Sequence, residues 1–145
     1  MAPTAELNAM PTRTLTKTEL EARSAFRHQL RLFERAGEEA ARKAGVTFPQ
    51  YLVLLHAKGM PGRAWALVGE LAEKMLLEHH SVVGLVSRCE TAGLVKRKRS
   101  AEDARQVEVH LTPKGDRTVN SIASAQSNEM KAFAAFVAST AKRSK

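Results

Sequence analysis

The sequence predicts a mainly α-helical protein with a small β-hairpin wing: a winged helix-turn-helix set between N- and C-terminal dimerisation helices. Three observations lead there. Apolar residues recur at three-or-four spacing through most of the 145-residue chain, the mark of helices with one buried face. That period gives way over residues 94–111 to alternation, the mark of paired strands. Positive charge gathers at the switch, where Arg88, Lys96, Arg97, Lys98 and Arg99 stand against Glu90 alone between positions 81 and 99, half of the chain's net +8. A chain of this length supports one modest core, so a single domain over 16–145 is expected behind a flexible arm, 1–15.

In the arm, Pro3, Pro11 and several threonines show no apolar period. Two overlapping capping boxes follow, Thr16 with Glu19 and Thr18 with Glu21, and either can satisfy free amides at a helix start. From there Ala22, Phe26, Leu30, Phe33, Gly37 and Ala40 mark one face of a helix over about 18–44, which Gly45 can stop. Thr47 and Gln50 form the next capping box, with Pro49 in the first turn and Val46 placed to staple onto Tyr51; this helix ends near Gly59. After turn residues 59–64, Trp65–Leu67 suits a very short strand, and Val68, Leu71, Ala72 and Met75 resume helical spacing. A fourth helix begins around 78–81 and stops at Gly93. It carries Val82, Leu85, Val86 and Cys89 on one face and His80, Gly84, Ser87 and Arg88 on the other. Leu94–Arg99 then runs extended, 100–104 forms a polar tip, and Val107, Val109 and Leu111 alternate with Gln106, Glu108 and His110. Thr112 and Pro113 open one long last helix over about 113–140, striped by Val119, Ile122, Met130, Phe133 and Val137.

Two short helices joined tightly and followed by a basic hairpin, over 46–117, answer the geometry of duplex DNA. A helix fits the major groove, and a cationic hairpin can follow the backbone into the neighbouring minor groove. The apolar stripes of the first and last helices lie outside this small domain and need a surface to bury against, which a second copy of the chain supplies. Several classes are excluded or disfavoured. No apolar run approaches the ~20 residues of a membrane span, and the N-terminus lacks the pattern of a secretory signal. The lone Cys89 excludes an internal disulfide framework and a multi-cysteine zinc site, in keeping with a cytoplasmic location. No nucleophile–base pair, phosphate-cradling glycine loop or spaced carboxylate pair points to an enzyme, and no cofactor is implied.

The stretches VTFPQYLVLL, VGELAEKMLLEHHSVVGLVSRCETAGLVKRKRS and EDARQVEVHLTPKG resemble the helix starts, recognition helix and wing of MarR-family transcriptional regulators. Asp103, Arg105, Leu111 and Thr112 keep that family's wing register without a gap. The resemblance implies a homodimer, built by the first and last helices, that binds double-stranded pseudo-palindromic operators and is released by a small-molecule effector or an oxidant. It implies that Arg105 is the wing-tip arginine entering the minor groove, Asp103 the carboxylate that orients it, and Ser81 the small hydroxyl residue near the recognition-helix start. His80, Ser87 and Arg88 are further candidates on that helix, with Arg97 and Arg99 among the backbone-contacting cations of the wing. Gly84 stands where the family commonly has a long reader, Cys89 where it has an apolar residue, and the C-terminal region is short.

Blander readings compete at several positions. A basic run can be a solvated strand, and Asp103 with Arg105 a surface ion pair; their register beside a helix-turn-helix favours DNA contact. His79 and His80 suggest a metal, but neighbours on a helix do not face one site, so no metal is expected. Cys89 admits a redox-sensitive thiol or a packing residue, and its stripe favours packing. The alternative function is an architectural protein that coats DNA with little sequence preference; a winged fold used to bind protein is a third.

Overall fold

The computed structural model describes residues 12–143, so residues 1–11 of the expected arm and 144–145 of the basic tail lie outside the described residues. Helix α1 spans Lys17–Lys43, α2 Phe48–Lys58, strand β1 Trp65–Leu67, α3 Val68–Met75 and α4 His79–Thr91. Strands β2, Val95–Arg99, and β3, Val107–Leu111, form the hairpin, and helices α5, Pro113–Ala125, and α6, Ser127–Arg143, follow. Of the two overlapping boxes, Thr16 with Glu19 is the one formed: the Thr16 hydroxyl accepts from Glu19 N at 3.1 Å and the Glu19 carboxylate from Thr16 N at 3.0 Å. At α2 the box is Thr47 with Gln50. Gly45 and Gly93 both take positive φ beyond their helices, as the stop reading requires.

The sheet order is β1-β3-β2, antiparallel throughout, with Trp65 opposite His110 and Arg97 opposite Val109. Its inner face joins α2, α3, α4 and α5 around one apolar core that includes Leu54, Leu71, Val82, Val86, Val109 and Ile122. Thus the four apolar positions read along α4, Val82, Leu85, Val86 and Cys89, are its buried face, and the opposite face is left outward.

One expectation is corrected. The last segment is not one long helix: α5 ends at Ala125, its C-cap Gln126 leaves the helical region at φ −102° and ψ 10°, and α6 starts afresh at Ser127. The apolar spacing runs across the break, but its members pack in different places. Val119 and Ile122 are buried in the winged core, whereas Phe133 stacks on Phe33 of α1 with centroids 5.0 Å apart. Serines near the break compete for helix carbonyls, Ser124 Oγ donating to Asn120 O at 2.6 Å, which weakens continuation. Phe26 lies 6.3 and 6.2 Å from Phe133 and Phe136, completing an aromatic seam between α1 and α6. Around it Leu20, Leu32 and Met130 remain 51%, 48% and 65% exposed. Among the described residues no helix is long and apolar enough to cross a membrane.

A joint behind the wing orients these parts. Thr112 Oγ1 donates to Gly93 O at 2.6 Å and accepts from Gly115 N at 3.1 Å, while Thr112 N donates to Leu94 O at 3.0 Å. Lys114 Nζ adds a bond to Ala92 O at 2.8 Å. The start of α5 sits so close to this chain segment that a Cβ on Gly115 would fall 2.1 Å from Leu94 O. Backbone cannot yield as a side-chain tip can, so Gly115→Ala is expected to destabilise the fold by about 3 kcal/mol, the upper end of overpacking costs. Urea denaturation of the variant checks it, and a loss under ~1 kcal/mol contradicts the close approach.

Candidate nucleic-acid interface

Helices α3 and α4 form the helix-turn-helix, joined through Leu76, which takes left-handed φ and ψ of 55° and 44°. Helix α4 begins without a side-chain cap, so its first amides and the positive end of its dipole face outward beside His79, His80 and Ser81, all exposed. About two turns beyond Ser81, Arg88 is exposed on the same side as His80 and Ser81. Its Nη1 lies 3.6 Å from where a Gly84 Cβ would be, so the guanidinium runs along the surface that the missing side chain leaves low. The outward strip of α4 therefore offers the Ser81 hydroxyl, the His80 imidazole and the Arg88 guanidinium to a groove.

At the hairpin tip, Ser100 Oγ accepts from Glu102 N at 3.2 Å and from Asp103 N at 3.4 Å, and Gln106 N returns to Asp103 O at 2.9 Å. These bonds turn the chain tightly enough to place Arg105 against the Asp103 carboxylate. Arg105 Nε and Nη2 each donate to it at 3.2 Å and Arg105 N at 3.0 Å. The Arg105 side-chain hydrogen bond, then the backbone one, hold the Asp103 carboxyl below its ordinary range. Even so, the Arg105 side chain is 91% exposed, so the carboxylate aims it without covering it.

Along β2 the cations divide by strand alternation: Arg97 and Arg99 share the side of buried Val95, and Lys96 and Lys98 point the other way. Arg99 Nη1 reaches Ala104 O at 3.5 Å across the wing. Arg97 is engaged more fully. Its Nε and Nη2 donate to Glu90 Oε1 at 3.2 and 2.9 Å, its main-chain N–H to Glu90 Oε2 at 3.0 Å, and its Nη1 to Ser87 Oγ at 3.1 Å. The structure therefore brings Ser87 and Arg97, nominated separately from sequence, onto each other. A cleft of about 380 Å³ separates α3 and α4 from the wing, lined by Val68, Glu70, His79, Val83, Arg97 and Arg105.

Two features were not visible in sequence. Glu90 and Arg97 are separated by the Gly93 turn, so no helix or strand period links them. On the outer sheet face, Trp65 stacks on His110 at 5.6 Å, Arg63 covers the Trp65 ring at 4.4 Å, and His110 Nε2 pairs with Glu108 at 2.8 Å. Arg63 also forms a two-pronged pair with Glu70, whose Oε1 accepts from Leu67 N at 2.8 Å and so helps start α3. The cross-strand register of Trp65 and His110 was the missing signal. Among the described residues no three His, Cys, Asp or Glu side chains gather as a metal site. Cys89 is fully buried, and burial pushes its thiol up to about 11.

Comparison with known proteins places this geometry. Residues 44–106 match the model of the MarR family. The HTH-type transcriptional regulator TtmR of Methylorubrum extorquens is 36% identical over 83 residues, which are 57% of this chain but 41% of that protein. Thus the chain matches less than half of that relative's length. In fold the chain is similar to AbsC, a MarR family transcriptional regulator from Streptomyces coelicolor, with TM-score 0.72 and 24% identity over 84% of this chain and 82% of that one. It is also similar in fold to NadR, solved with 4-hydroxyphenylacetate, with TM-score 0.62 and 23% identity over 85% and 83% of the two chains.

The surroundings of Cys89 generate a stability prediction. Cys89→Ser puts a hydroxyl among apolar neighbours and should cost about 1–3 kcal/mol. Because folding raises the thiol's pKa, its contribution is full below the ordinary thiol range and declines as pH rises toward about 11; the serine variant lacks that decline. Denaturant titrations from pH 7 to 11 on both proteins read the two effects. Equal alkaline slopes would show that the thiol is not desolvated in the fold.

Proposed function

We propose that this chain, whose residues 44–106 match the MarR family model, is a transcriptional regulator of that family that binds a pseudo-palindromic operator in duplex DNA as a homodimer. We propose further that it acts in the cytoplasm as a repressor that a small ligand or a stress signal releases. The observation that carries DNA recognition is the pairing of two outward surfaces on one rigid core: the α4 strip with His80, Ser81 and Arg88, and the wing tip with an Asp103-held, open Arg105. In this reading α4 lies in the major groove, with Arg88 toward base edges and Ser81 and His80 near a phosphate at the helix start. Arg105 enters the minor groove, where a planar, permanently charged fork senses groove width. Of Lys96, Lys98 and Arg99, those on the side of β2 turned to the duplex add contacts to phosphates that carry little sequence information.

Dimerisation is supported by the apolar residues left open around the α1–α6 seam, Leu20, Leu32, Met130 and Val137. Effector release is supported by the ligand named in the NadR structure, which makes small-molecule binding a property of a protein with this fold.

Sedimentation at micromolar concentration is expected to give a dimer; a monomer at every concentration rejects the architecture. Binding is then measured on a duplex that the wild type selects from a randomised pool and on an unrelated duplex, each at several salt concentrations. Arg88→Ala should cost ~1–3 kcal/mol on the selected duplex and much less on the unrelated one. Arg105→Ala should weaken selected duplexes with narrow A/T-rich flanks most. Equal losses on all duplexes, with a small wild-type preference, would favour an architectural DNA-coating role instead.

A further inference from the structure

Strand β2 is an edge of the sheet, so the outward amide of Arg97 has no strand to pair with. The Glu90 carboxylate takes that amide on one oxygen and the Arg97 guanidinium on the other, so it grips the strand's backbone as well as its side chain. Among the described residues, every side-chain hydrogen bond between α4 and a wing strand runs from Arg97 to Glu90 or Ser87. The cleft lies between the same elements, so packing leaves a gap beside the tie.

We infer that Glu90 is a positioning residue for DNA recognition, which sets the wing against the recognition helix through Arg97. This rests on the DNA-binding reading above and adds a division among the cations to it. Arg97 acts through position: its charge is matched by Glu90, and its fork is engaged on Glu90 and Ser87. Ser87 likewise serves as an acceptor within the tie. Distance between the two DNA-reading surfaces is what a composite site must reproduce, because α4 and Arg105 have to meet two grooves at once. A side-chain pair this exposed contributes little to stability, so the consequence falls on selectivity.

Charge and position make opposite predictions for Glu90→Gln. Loss of a negative charge beside DNA strengthens binding to every duplex alike. Loss of the tie weakens the selected duplex relative to the unrelated one. Anisotropy titrations of the full chain use the selected and unrelated duplexes at several salt concentrations, with Glu90→Gln and Arg97→Lys. We expect the selected-to-unrelated affinity ratio to fall about tenfold in both variants, since lysine keeps the charge but not the fork. With Arg97 released, the salt slope of Glu90→Gln on the unrelated duplex should steepen by about one contact. Melting curves should move little. A ratio unchanged within about twofold in both variants, beside intact wild-type selectivity, overturns this inference alone. A wild type that shows no salt-sensitive binding to either duplex removes the DNA-binding reading and this inference with it.

Discussion

The close approach of Gly115 to the Leu94 carbonyl is the constraint on which the other parts depend. At this point the chain has left α4, is entering the wing, has come back from it and is starting α5. Thr112 closes the crossing by donating to the carbonyl of one passage and accepting from the amide of the other, so neither polar group is left unpaired near the core. A side chain at 115 would push α5 away from the hairpin base. The recognition helix, the wing and the helices beyond them are oriented from this crossing, and each could be well formed alone yet misdirected without it.

Charge on the side that carries α4 and the wing is arranged rather than merely accumulated. Net charge suggests a uniformly attractive surface, but Arg97 and Arg105 are each met by a carboxylate. The outcomes differ with geometry. Asp103 lies two residues from Arg105 in a tight turn and leaves the guanidinium almost fully open, whereas Glu90 and Ser87 meet Arg97 across the gap between elements and hold it between them. Backbone hydrogen bonding from Arg97, followed by the guanidinium itself, keeps the Glu90 carboxyl low, so the carboxylate stays ionised through the neutral range. Counting lysines and arginines therefore overstates the free charge and understates how much of it serves to fix shape.

Local chemistry made most of the fold legible in the sequence. Thr47 and Gln50 state a helix start within four residues, Gly93 states a stop, and alternation from Val107 states a strand; each is decided by its own neighbours. The winged domain was readable because such signals come in an order that few architectures accommodate. The break at Gln126 was not, because the apolar period carries through it, and only the destination of each side chain distinguishes one helix from two. The same limit applies to the interface. Asp103 and Arg105 sit within one turn and could be paired by inspection, but Glu90 meets Arg97 only after α4, Gly93 and β2 have been laid out in space.

The two ends of the chain differ from its middle in how they are held. Between α2 and α5 the stripes close on one another, and residues such as Leu54, Leu71 and Val109 have no exposed surface. Helix α1 contributes only Gly37 and Ala41 as buried residues, small side chains that let it lie close to the winged core, and α6 meets α1 through phenylalanine rings that stay partly open. A helix held on one side by aromatic contacts, with large apolar residues facing water on another, gains stability from whatever covers that face. In the proposed dimer the partner's α1 and α6 do so, and the spacing of the two DNA-reading surfaces becomes a property of that seam. In that proposed dimer the close packing lies in the winged cores and the adjustable contacts between long helices, where a modest shift would change the distance between half-sites without disturbing either core.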